Sequence, residues 1–402
     1  MDIALRSISS DEIGPFLREV DRSFGEAMSD EEVERYAPAI DPDRCLVALD
    51  GDRWVATSGA YSLDLTLPGG TTVATAGVTA VGVRPTHRRR GILTSMMTQL
   101  HDQAREREEP VAALLASEAG IYGRFGYGVA TEYRSVVIDR HRTSLPDAPA
   151  GSIELVTPEV AQPLFDDLFT RVRLGRVGQV TRPAGWAERN LVDRESDRDG
   201  AGPLEVSVSR DVDGVVDGMA MWRLKPNWNM NLPDGVVKVI ELFAATDDAR
   251  LRLHQHLMNV DLASSVELDR ADLADPTRYA LTDPRAYRTV AVGDWLWVSV
   301  LDPVAALAAR SYETEDRLVL EIHDGPASTT VEIEAGAEAA CRITTAAPDL
   351  VCQASTVGSL LLGGVLPSAL ATAGRLQGDP DAIARADRVF PTARPPFCQT
   401  MF

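Results

Sequence analysis

The chain has 402 residues, which is too long for one ordinary hydrophobic core and predicts two or three domains. Its 40 basic and 60 acidic residues give a formal net charge of −20, so nucleic acid is a disfavoured partner. We interpret this acidity first as a source of solubility, and second as a field that attracts cationic amines.

The start of the chain and its apolar runs argue against export and membrane insertion. Residues 1–13 lack the basic start and the apolar core of a signal peptide, and no segment reaches the roughly 18 apolar residues of a membrane span. The four cysteines have no C-x-x-C spacing, which indicates free thiols in a reducing compartment and no structural zinc. The sequence therefore predicts a soluble cytoplasmic protein without a metal.

The first third of the chain mixes helical and extended patterns. Residues 10–24 have the capped, amphipathic spacing of a helix. Residues 45–49 and 54–65 predict a hairpin around the Asp50-Gly51 turn. Residues 75–128 then predict a strand, a basic turn, a helix, a second strand and a tight aromatic turn.

The basic turn carries the clearest functional signal. Residues 78–84 are small and β-branched, Pro85 ends the strand, and residues 91–107 have apolar side chains at helical spacing. The first amides of a helix have no partner within it, and three arginines at positions 88–90 stand beside them. Gly91 lets a ligand approach the backbone. The pattern predicts a binding site for a diphosphate.

The string Arg88-Arg89-Arg90-Gly91-Ile92-Leu93 resembles the Arg/Gln-x-x-Gly-x-Gly/Ala pyrophosphate loop of the GNAT superfamily of acetyl-CoA N-acetyltransferases. With IYGRFGYG at residues 121–128 and an aromatic last residue, the chain is similar to the Eis (enhanced intracellular survival) branch of that superfamily. Leu93 stands where most of the superfamily has Gly or Ala, and the Eis-like branch accepts Leu there.

The resemblance implies an α+β (mixed α/β) fold with tandem GNAT-like domains followed by a sterol-carrier-protein-like α+β domain. The predicted domains are residues 1–148, the acetyltransferase domain, residues 149–290, a second GNAT-like domain, and residues 291–402, the sterol-carrier-like domain. In the second domain, the helix at the matching place opens with Asp247 and Asp248. Because two carboxylates repel phosphate, we expect this domain to have lost its cofactor loop.

The GNAT resemblance assigns acetyl-CoA to the first domain as a co-substrate. The backbone of Val81, Gly82 and Val83 is expected to pair with the pantetheine arm, as an added strand pairs with a sheet edge. We interpret Gly82 as allowing a close backbone approach. Ser117 and Glu118 are expected on the other side of the arm. The expected pyrophosphate-binding residues are Arg89, Arg90, Gly91, Ile92, Leu93 and Thr94.

Two tyrosines in the aromatic turn, Tyr122 and Tyr127, are candidates for the acid that protonates the departing thiolate, whose pKa is ~8.5 by analogy with cysteine. The family motif implies Tyr122, and Tyr127 and Phe125 are then expected to pack the turn against the sheet. No His or Glu near the motif stands out as the base. The Eis resemblance assigns that role to the terminal carboxylate, here that of Phe402, and a frayed terminus is the alternative.

These assignments predict an N-acetyltransferase, an acyltransferase in which a primary amine attacks the acetyl group directly in a ternary complex. Glu26 matches a carboxylate that the family places in its acceptor pocket. Members that acetylate aminoglycosides carry Phe, His and Glu where this chain has Ala80, Leu115 and Met401. The sequence therefore leaves open an aminoglycoside, a smaller or more apolar amine, a polyamine and a protein lysine.

Two other functions stay open from the residues alone. One is a lipid- or sterol-carrying protein that uses the last domain, and the other is a binder of acyl-CoA without turnover. A large apolar cavity in residues 291–402 would favour lipid carriage, and a filled core would count against it. The resemblance also implies a homo-oligomer, because family members assemble as hexamers, and neither a nucleic acid nor a membrane as partner.

Overall fold

The structure is a computed structural model that describes residues 3–183 and 185–402. Strands and helices are mixed along the whole chain, as the sequence predicted. The strands are β1 (Ile3–Ser7), β2 (Cys45–Asp50), β3 (Arg53–Thr66), β4 (Thr72–Val83), β5 (Val111–Leu115), β6 (Tyr127–Val129), β7 (Glu132–Asp139), β8 (Ser152–Val156), β9 (Glu205–Arg210), β10 (Val216–Lys225), β11 (Trp228–Asn229), β12 (Leu232–Pro233), β13 (Gly235–Ala244), β14 (Ala263–Ala271), β15 (Tyr287–Asp294), β16 (Leu296–Val300), β17 (Asp316–Asp324), β18 (Ala327–Ala335), β19 (Ala340–Ile343), β20 (Leu350–Gln353) and β21 (Leu376–Gly378). The α-helices are α1 (Ile13–Phe24), α2 (Asp30–Tyr36), α3 (Ile92–Glu106), α4 (Ala119–Tyr122), α5 (Pro158–Leu174), α6 (Trp186–Leu191), α7 (Asp247–Met258), α8 (Thr277–Ala280), α9 (Pro303–Ala309), α10 (Ala354–Leu361), α11 (Pro367–Thr372) and α12 (Pro380–Val389).

The described chain divides into two compact units, each with its own hydrophobic cores. The first unit contains the described residues up to Thr131, those within Val177–Gly185, and Trp295–Phe402. The second unit contains Glu132–Arg176 and Trp186–Asp294. The predicted domain boundaries at residues 148 and 290 stay predictions, and the compact units divide the chain at other positions.

The first unit contains a seven-stranded sheet in the order β1-β2-β3-β4-β5-β16-β6. The predicted hairpin of β2 and β3 forms across the Asp50-Gly51 turn. Strands β4 and β5 are parallel because α3 connects them and returns the chain to the same edge. Helix α3 buries Met96, Met97 and Leu100 against this sheet, which fixes the position of its N-terminus.

Two strands pair differently from what the predicted boundaries imply. Strand β16 falls within the predicted last domain, but it pairs with β5 and β6 in the first sheet. Strand β7 falls within the predicted first domain, but it pairs with β14 and β15 in the sheet of the second unit. An apolar sequence pattern predicts that a strand forms but not which strands it pairs with, because long-range packing decides the pairing.

The second unit contains a seven-stranded sheet in the order β15-β7-β14-β13-β10-β9-β8. Helix α7 connects the parallel strands β13 and β14, which repeats the connection that α3 makes in the first unit. At the start of α7, the Thr246 side chain accepts a hydrogen bond from the Ala249 amide, and Asp247 and Asp248 fill the first turn. As predicted, this helix offers carboxylates and a capped amide where an anion would bind.

The C-terminal part of the first unit contains a five-stranded sheet in the order β19-β18-β17-β20-β21. Strands β17, β18 and β19 are antiparallel, and α9 spans Pro303–Ala309. Side chains of Leu318, Leu320, Ile333 and Phe390 are fully buried in the core of this sheet.

Helix α10 packs backbone to backbone on β6 and β16 through two glycines. A Cβ atom built on Gly128 would lie 1.9 Å from the carbonyl oxygen of Ser355, and one built on Gly358 would lie 1.9 Å from that of Val298. Real Cβ atoms do not approach this closely, so both positions require glycine. The last glycine of the IYGRFGYG string therefore serves the packing of α10.

Gly358→Ala is expected to destabilise the protein by about 2 kcal/mol. The clash with a backbone carbonyl costs about 3 kcal/mol, and the better helix propensity of alanine returns roughly 1 kcal/mol. Urea unfolding measures the change. Gly336→Ala is the control, because the nearest atom to its built Cβ is 3.7 Å away, and we expect a change within about 0.5 kcal/mol. Equal midpoints for both variants would contradict the packing described here.

Three further features of the described residues concern membrane spans, cysteines and metal ligands. None of the helices in residues 3–183 and 185–402 combines the length and the hydropathy that a bilayer-spanning segment needs. Cys45, Cys341, Cys352 and Cys398 carry thiols that are not joined in disulfides. The described side chains of His, Cys, Asp and Glu do not gather in a group of three that could hold a metal ion.

Candidate active site

Strands β4 and β5 separate near the middle of the first sheet. They pair over only three residues each, and the last pair is Gly77 with Ala113. Both strands continue beyond this pair, β4 to Val83 and β5 to Leu115. The β5-facing backbone groups of residues 78–83 are therefore not used by β5. Such an edge offers N–H and C=O groups to an extended ligand.

A bulge in β4 changes the direction of this open edge. Ala80 has a φ of 56°, in the left-handed region that alanine rarely adopts, and the register with β3 shifts between Thr57 and Gly59. The Thr57 hydroxyl donates a hydrogen bond of 2.9 Å to the carbonyl oxygen of Ala80, which holds the bulge in place. Because a bulge bends its strand, β4 leaves β5 at this point.

The three residues predicted to bind the pantetheine arm lie at the end of β4, after the bulge. Val81 and Val83 are half-buried and pack against the core of the first sheet. A Cβ atom built on Gly82 would lie 2.7 Å from Cβ of Ser23 in α1. The approach of α1 is therefore one physical reason for this glycine, and its expected role in close approach to the cofactor stays a prediction.

Helix α1 is fixed to the end of β4 by an ion pair. Arg84 donates two hydrogen bonds, of 2.7 and 2.8 Å, to the carboxylate of Glu19. The hydrogen bond with Glu19 raises the pKa of Arg84. This pair closes one side of the strand edge at residues 81–83.

The loop before α3 exposes backbone amides. Arg89 and Gly91 have φ values of 62° and 80°, in the left-handed region. When left-handed residues alternate with right-handed ones, successive N–H groups point into one concave site that can bind an anion. Gly91 is the N-cap residue and has no side chain to accept a first-turn amide. The amides of residues 92–94 consequently have no partner within the helix. The loop can bind an anion through its backbone, with the N-terminal end of the helix dipole behind it.

The side chains of this loop divide into two sets. Ile92 is buried and Leu93 is half-buried in the core of the first sheet, so they hold the first turn of α3 in place. Arg89, Arg90 and Thr94 are exposed. No ion pair uses Arg89 or Arg90 in the described parts of the chain, which leaves both positive charges for a ligand.

His87 anchors the loop to the β2–β3 turn, and the sequence patterns did not reveal it. Its ring is buried, with Nδ1 2.8 Å from the Thr86 hydroxyl and Nε2 3.2 Å from a carboxylate oxygen of Asp50. Because a carboxylate can only accept, Nε2 carries the proton and donates to Asp50. The one sequence feature that could have pointed to His87 is its position directly before the three arginines.

His87→Ala is expected to raise the KM for acetyl-CoA by about tenfold and to change kcat little, because it frees the loop without touching the reacting groups. Initial rates at varied acetyl-CoA measure this split. Asp52→Asn removes a charge from the same turn, is not an anchor, and should leave KM unchanged. A His87→Ala enzyme with the wild-type KM would show that the loop holds its shape alone.

Ser117 and Tyr122 come together at the end of β5. Tyr122 closes the short helix α4 and is buried, while Ser117 and Glu118 are exposed. Burial raises the pKa of Tyr122, a hydrogen bond with the Ser117 side chain lowers it, and the charge of Glu118 raises it. The net pKa is above the ordinary tyrosine value, so the phenol stays protonated at neutral pH.

A neutral pair lies behind Tyr122. The Tyr127 hydroxyl is 3.0 Å from Nε2 of His101 in α3, and both side chains are buried. The rings of Tyr122 and Tyr127 meet edge to face, with centroids 6.0 Å apart. Burial lowers the pKa of His101 to about 4 and raises that of Tyr127 well above its ordinary value. Tyr127 thus packs the turn, as predicted, and His101 is a second buried residue that the sequence patterns did not reveal.

The ring of Phe402 lies on β4 at the point where the strands separate. A Cβ atom built on Gly77 would lie 3.3 Å from Cε2 of Phe402, and Leu63 borders the same position. Phe402 is half-buried and packs against the large core of the first unit. Residue 402 is therefore held at the opening between β4 and β5.

Glu26 lies just beyond the end of α1. It follows Gly25, the left-handed C-cap of α1, and is exposed. Burial raises the pKa of Asp21, and the charges of Glu26 and Glu32 raise it further. The three carboxylates therefore lie near one another. In the described chain, no hydrogen bond or ion pair joins Glu26 to Tyr122 or Phe402.

Comparison with known proteins agrees with this geometry. An Acetyltransferase (GNAT) domain matches residues 4–130, a second Acetyltransferase (GNAT) domain matches residues 178–298, and a Sterol carrier protein domain matches residues 303–399. The N-acetyltransferase Eis of Mycobacterium tuberculosis is 33% identical over 398 residues, which cover 94% of each chain. The chain belongs to the Eis family of GNAT N-acetyltransferases.

Two further relatives support the Eis assignment. An uncharacterized N-acetyltransferase of Streptomyces avermitilis is 34% identical over 388 residues and 94% of each chain. The crystal structure of Eis1 from Mycobacterium abscessus has a TM-score of 0.85 at 30% identity and covers 100% of both chains. The Eis-type order of two GNAT domains and a sterol-carrier-like domain is thereby established for this protein.

In this Eis-family fold, the predicted site residues lie on β4, β5 and the segments that follow them. The edge at residues 81–83 and the α3 loop come after the last β4–β5 pair, the ring of Phe402 lies at Gly77 of that pair, and Ser117 and Tyr122 follow the end of β5. Glu118 is adjacent in sequence to Ser117, and Glu26 lies with the acidic group of α1 and α2. The roles of these residues remain predictions.

Proposed function

We propose that this Eis-family enzyme transfers the acetyl group of acetyl-CoA to a primary amine by direct attack in a ternary complex. The observations that support the proposal are an amide-lined anion loop and an open strand edge beyond the last β4–β5 pair, the ring of Phe402 at that pair, and a buried tyrosine after the end of β5. An acetyl transfer needs a held thioester, an acid for the thiolate and a base for the amine. Each of these has a candidate among these groups.

Acetyl-CoA is the co-substrate of the proposal, and the residues present fit it. The amides from Arg89 to Thr94, with the Arg89 and Arg90 charges, would bind the pyrophosphate. The backbone of residues 81–83 would pair with the pantetheine arm and polarise the acetyl carbonyl. Ser117 and Glu118 would border the other side of the arm.

Tyr122 is the proposed acid. When the amine nitrogen bonds to the acetyl carbon and the carbon–sulfur bond breaks, the electron pair leaves on sulfur, and the Tyr122 hydroxyl supplies the proton. A phenol with a raised pKa is present almost entirely in the donating form at neutral pH. The hydrogen bond with Ser117 orients this hydroxyl.

The carboxylate of Phe402 is the proposed base. An amine of pKa ~10.4 arrives protonated, and an α-carboxyl has a pKa of ~3.5, so proton transfer between them is unfavourable in water. A carboxylate that is withdrawn from water and held in place is a stronger base. The half-buried position of Phe402 on β4 supports this role.

A polycationic amine is the proposed acceptor class, and an aminoglycoside is one member of it. The carboxylates of Asp21, Glu26 and Glu32 and the net charge of −20 both favour cations. Leu115 and the exposed Met401 make the proposed pocket more apolar than in aminoglycoside-acetylating members. A polyamine, a smaller apolar amine and a protein lysine belong to the same proposal.

Lipid carriage is the weaker alternative. The core of the C-terminal sheet is filled by leucine, isoleucine, valine and phenylalanine side chains. A surface cavity of about 490 Å³ at β20 and α11 is lined largely by polar residues, including His323, Gln353 and Arg375. Neither observation favours a sterol or an acyl chain as ligand.

The predicted homo-oligomer, which is a hexamer in family members, and the predicted cytoplasmic location complete the proposal. Sedimentation velocity at several concentrations tests the oligomer. A monomer at every concentration would overturn it.

Release of free thiol from acetyl-CoA, measured with tobramycin, spermidine and a lysine peptide, tests the proposed function. At least one amine is expected to drive thiol release in step with its own acetylation, as followed by mass spectrometry. Acetyl-CoA with the enzyme but without an amine is the control for thiol release, and the amines with CoA in place of acetyl-CoA are the control for the mass measurement. Saturable binding of acetyl-CoA without thiol release for any amine would instead support an acyl-CoA binder.

A further inference from the structure

We propose that residues 177–182, which we call the strap, position Phe402 for proton transfer. This inference rests on the proposed role of the Phe402 carboxylate. The strap belongs to the first compact unit, although the chain before residue 177 and after residue 185 belongs to the second. Nearly all of it falls within the stretch that matches the second GNAT domain, residues 178–298.

One side of the strap is bonded to β3. Gln179 accepts a hydrogen bond of 2.9 Å from the Thr66 amide through its carbonyl oxygen, and the Gly178 amide donates to the carbonyl oxygen of Thr66 over 2.9 Å. Thr181 exchanges two further hydrogen bonds with the backbone of Asp64, of 2.7 and 3.0 Å. These bonds extend the first sheet by one short segment, so the strap has the rigidity of the sheet.

The same segment is bonded to the end of the chain. The Phe397 amide donates to the carbonyl oxygen of Val177 over 2.9 Å. The Gln399 amide donates to Oε1 of Gln179 over 3.2 Å, and that glutamine side chain is almost completely buried. Gln179 thus bonds to β3 with its backbone and to the tail with its side chain.

Gly178 sets how closely the strap and the tail approach. Its φ is 92°, and a Cβ atom built there would lie 3.1 Å from the amide nitrogen of Phe397 and 3.3 Å from its carbonyl oxygen. Any other residue would be strained in this conformation and would push the tail outward.

Thr400 is the last buried residue of the tail. Its hydroxyl accepts a hydrogen bond of 3.2 Å from Nε of Arg182 in the strap, and its carbonyl oxygen accepts one of 3.1 Å from the indole N–H of Trp295. Thr400 is fully buried, whereas Met401 is exposed. Two residues span at most about 7 Å, so the fixed position of Thr400 confines Phe402 to a small region of β4.

This arrangement separates proton transfer from cofactor binding. The hydrogen bonds of Val177, Gly178, Gln179 and Thr181 run to β3 and to the tail, whereas the expected cofactor contacts lie at residues 81–94. A misplacement of about 1 Å in a reacting group can cost about 10²-fold in rate. Loosening the strap should therefore lower kcat and leave the KM for acetyl-CoA unchanged. The second GNAT domain would contribute to the active site through this segment, although it lacks a cofactor loop of its own.

Gln179→Met tests the inference, because it keeps the length of the side chain and removes the acceptor for the Gln399 amide. We expect kcat to fall by about tenfold or more at an unchanged KM for acetyl-CoA, and the amides of residues 397–400 to exchange hydrogen faster. Gln162→Met is the matched control. It removes a half-buried glutamine of α5 whose side chain donates to Glu188, and kcat should stay at the wild-type value.

Thr400→Val and Thr400→Ser test the same contact from the other side. Valine keeps the shape and loses the hydroxyl that Arg182 reaches, so kcat should fall, and serine should restore most of it. Equal kcat values for the two variants, or wild-type exchange rates in Gln179→Met, would overturn the inference.

Deletion of Phe402 separates this inference from the proposed base. An inactive deletion with a fully active Gln179→Met would overturn the strap inference and leave the base in place. A fully active deletion would overturn the proposed base and the strap inference together. Low kcat in both variants, with KM unchanged in Gln179→Met, is the expected result.

Discussion

Tyr122→Phe is expected to lower kcat by about 10²–10⁴-fold while the KM for acetyl-CoA changes little, because the variant loses the proton donor for the thiolate and keeps the aromatic packing. The ring of Tyr122 stays in edge-to-face contact with Tyr127, so the fold should be retained. Steady-state rates with the best amine of the panel give both constants.

The pH dependence of the wild type provides a second measurement of this prediction. Burial raises the pKa of Tyr122, so the donating form is present below that pKa and is lost as pH rises through it. The alkaline fall in kcat that reports this group should therefore lie above pH ~10, where an ordinary tyrosine ionises. That fall should be absent from Tyr122→Phe.

Tyr127→Phe is the matched control for Tyr122→Phe. It removes the hydroxyl that meets His101 and should cost about 1 kcal/mol of stability, with kcat within a few-fold of the wild type. A larger loss of kcat in Tyr127→Phe than in Tyr122→Phe would reverse the assignment of the acid.

An extension of the chain beyond Phe402 is expected to lower kcat by about 10²–10⁴-fold, because an amide replaces the carboxylate that takes the proton. The same added segment before the start of the chain is the control and should be harmless. Comparing the C-terminally and N-terminally extended proteins at saturating acetyl-CoA isolates the effect of the C-terminal extension on kcat. Full activity in the extended chain would exclude the terminal carboxylate as the base.

The β4–loop–α3 part of the site could be predicted from sequence because its physical causes are local. A β-branched strand, Pro85, a glycine turn and apolar side chains at helical spacing define a strand and a helix with open amides between them. The arginines in between give the charge. The structure shows this loop with the left-handed φ values of Arg89 and Gly91 that an amide-lined anion site requires.

Other parts of the site depend on contacts between residues that are far apart in the sequence, so no local pattern predicts them. His87 gains its role from Asp50, 37 residues earlier, and the ring of His101 meets a hydroxyl 26 residues later. The close neighbours of Gly82 and Gly128 are residues of α1 and α10, which no pattern around either glycine names. In each case the partner is distant in sequence, so the residue alone does not name it.

The sequence by itself determined the order of strands and helices, the anion loop of the first GNAT domain and its replacement by carboxylates at α7, because helix and strand periods, caps and charges act over a few residues. Only the tertiary structure decided that β16 lies between β5 and β6, that β7 leaves the first sheet, and that the strap and Trp295 hold the end of the chain against β4. These pairings join backbone groups far apart in the chain, and backbone hydrogen bonding is the same for every residue, so packing of the whole unit selects the partners.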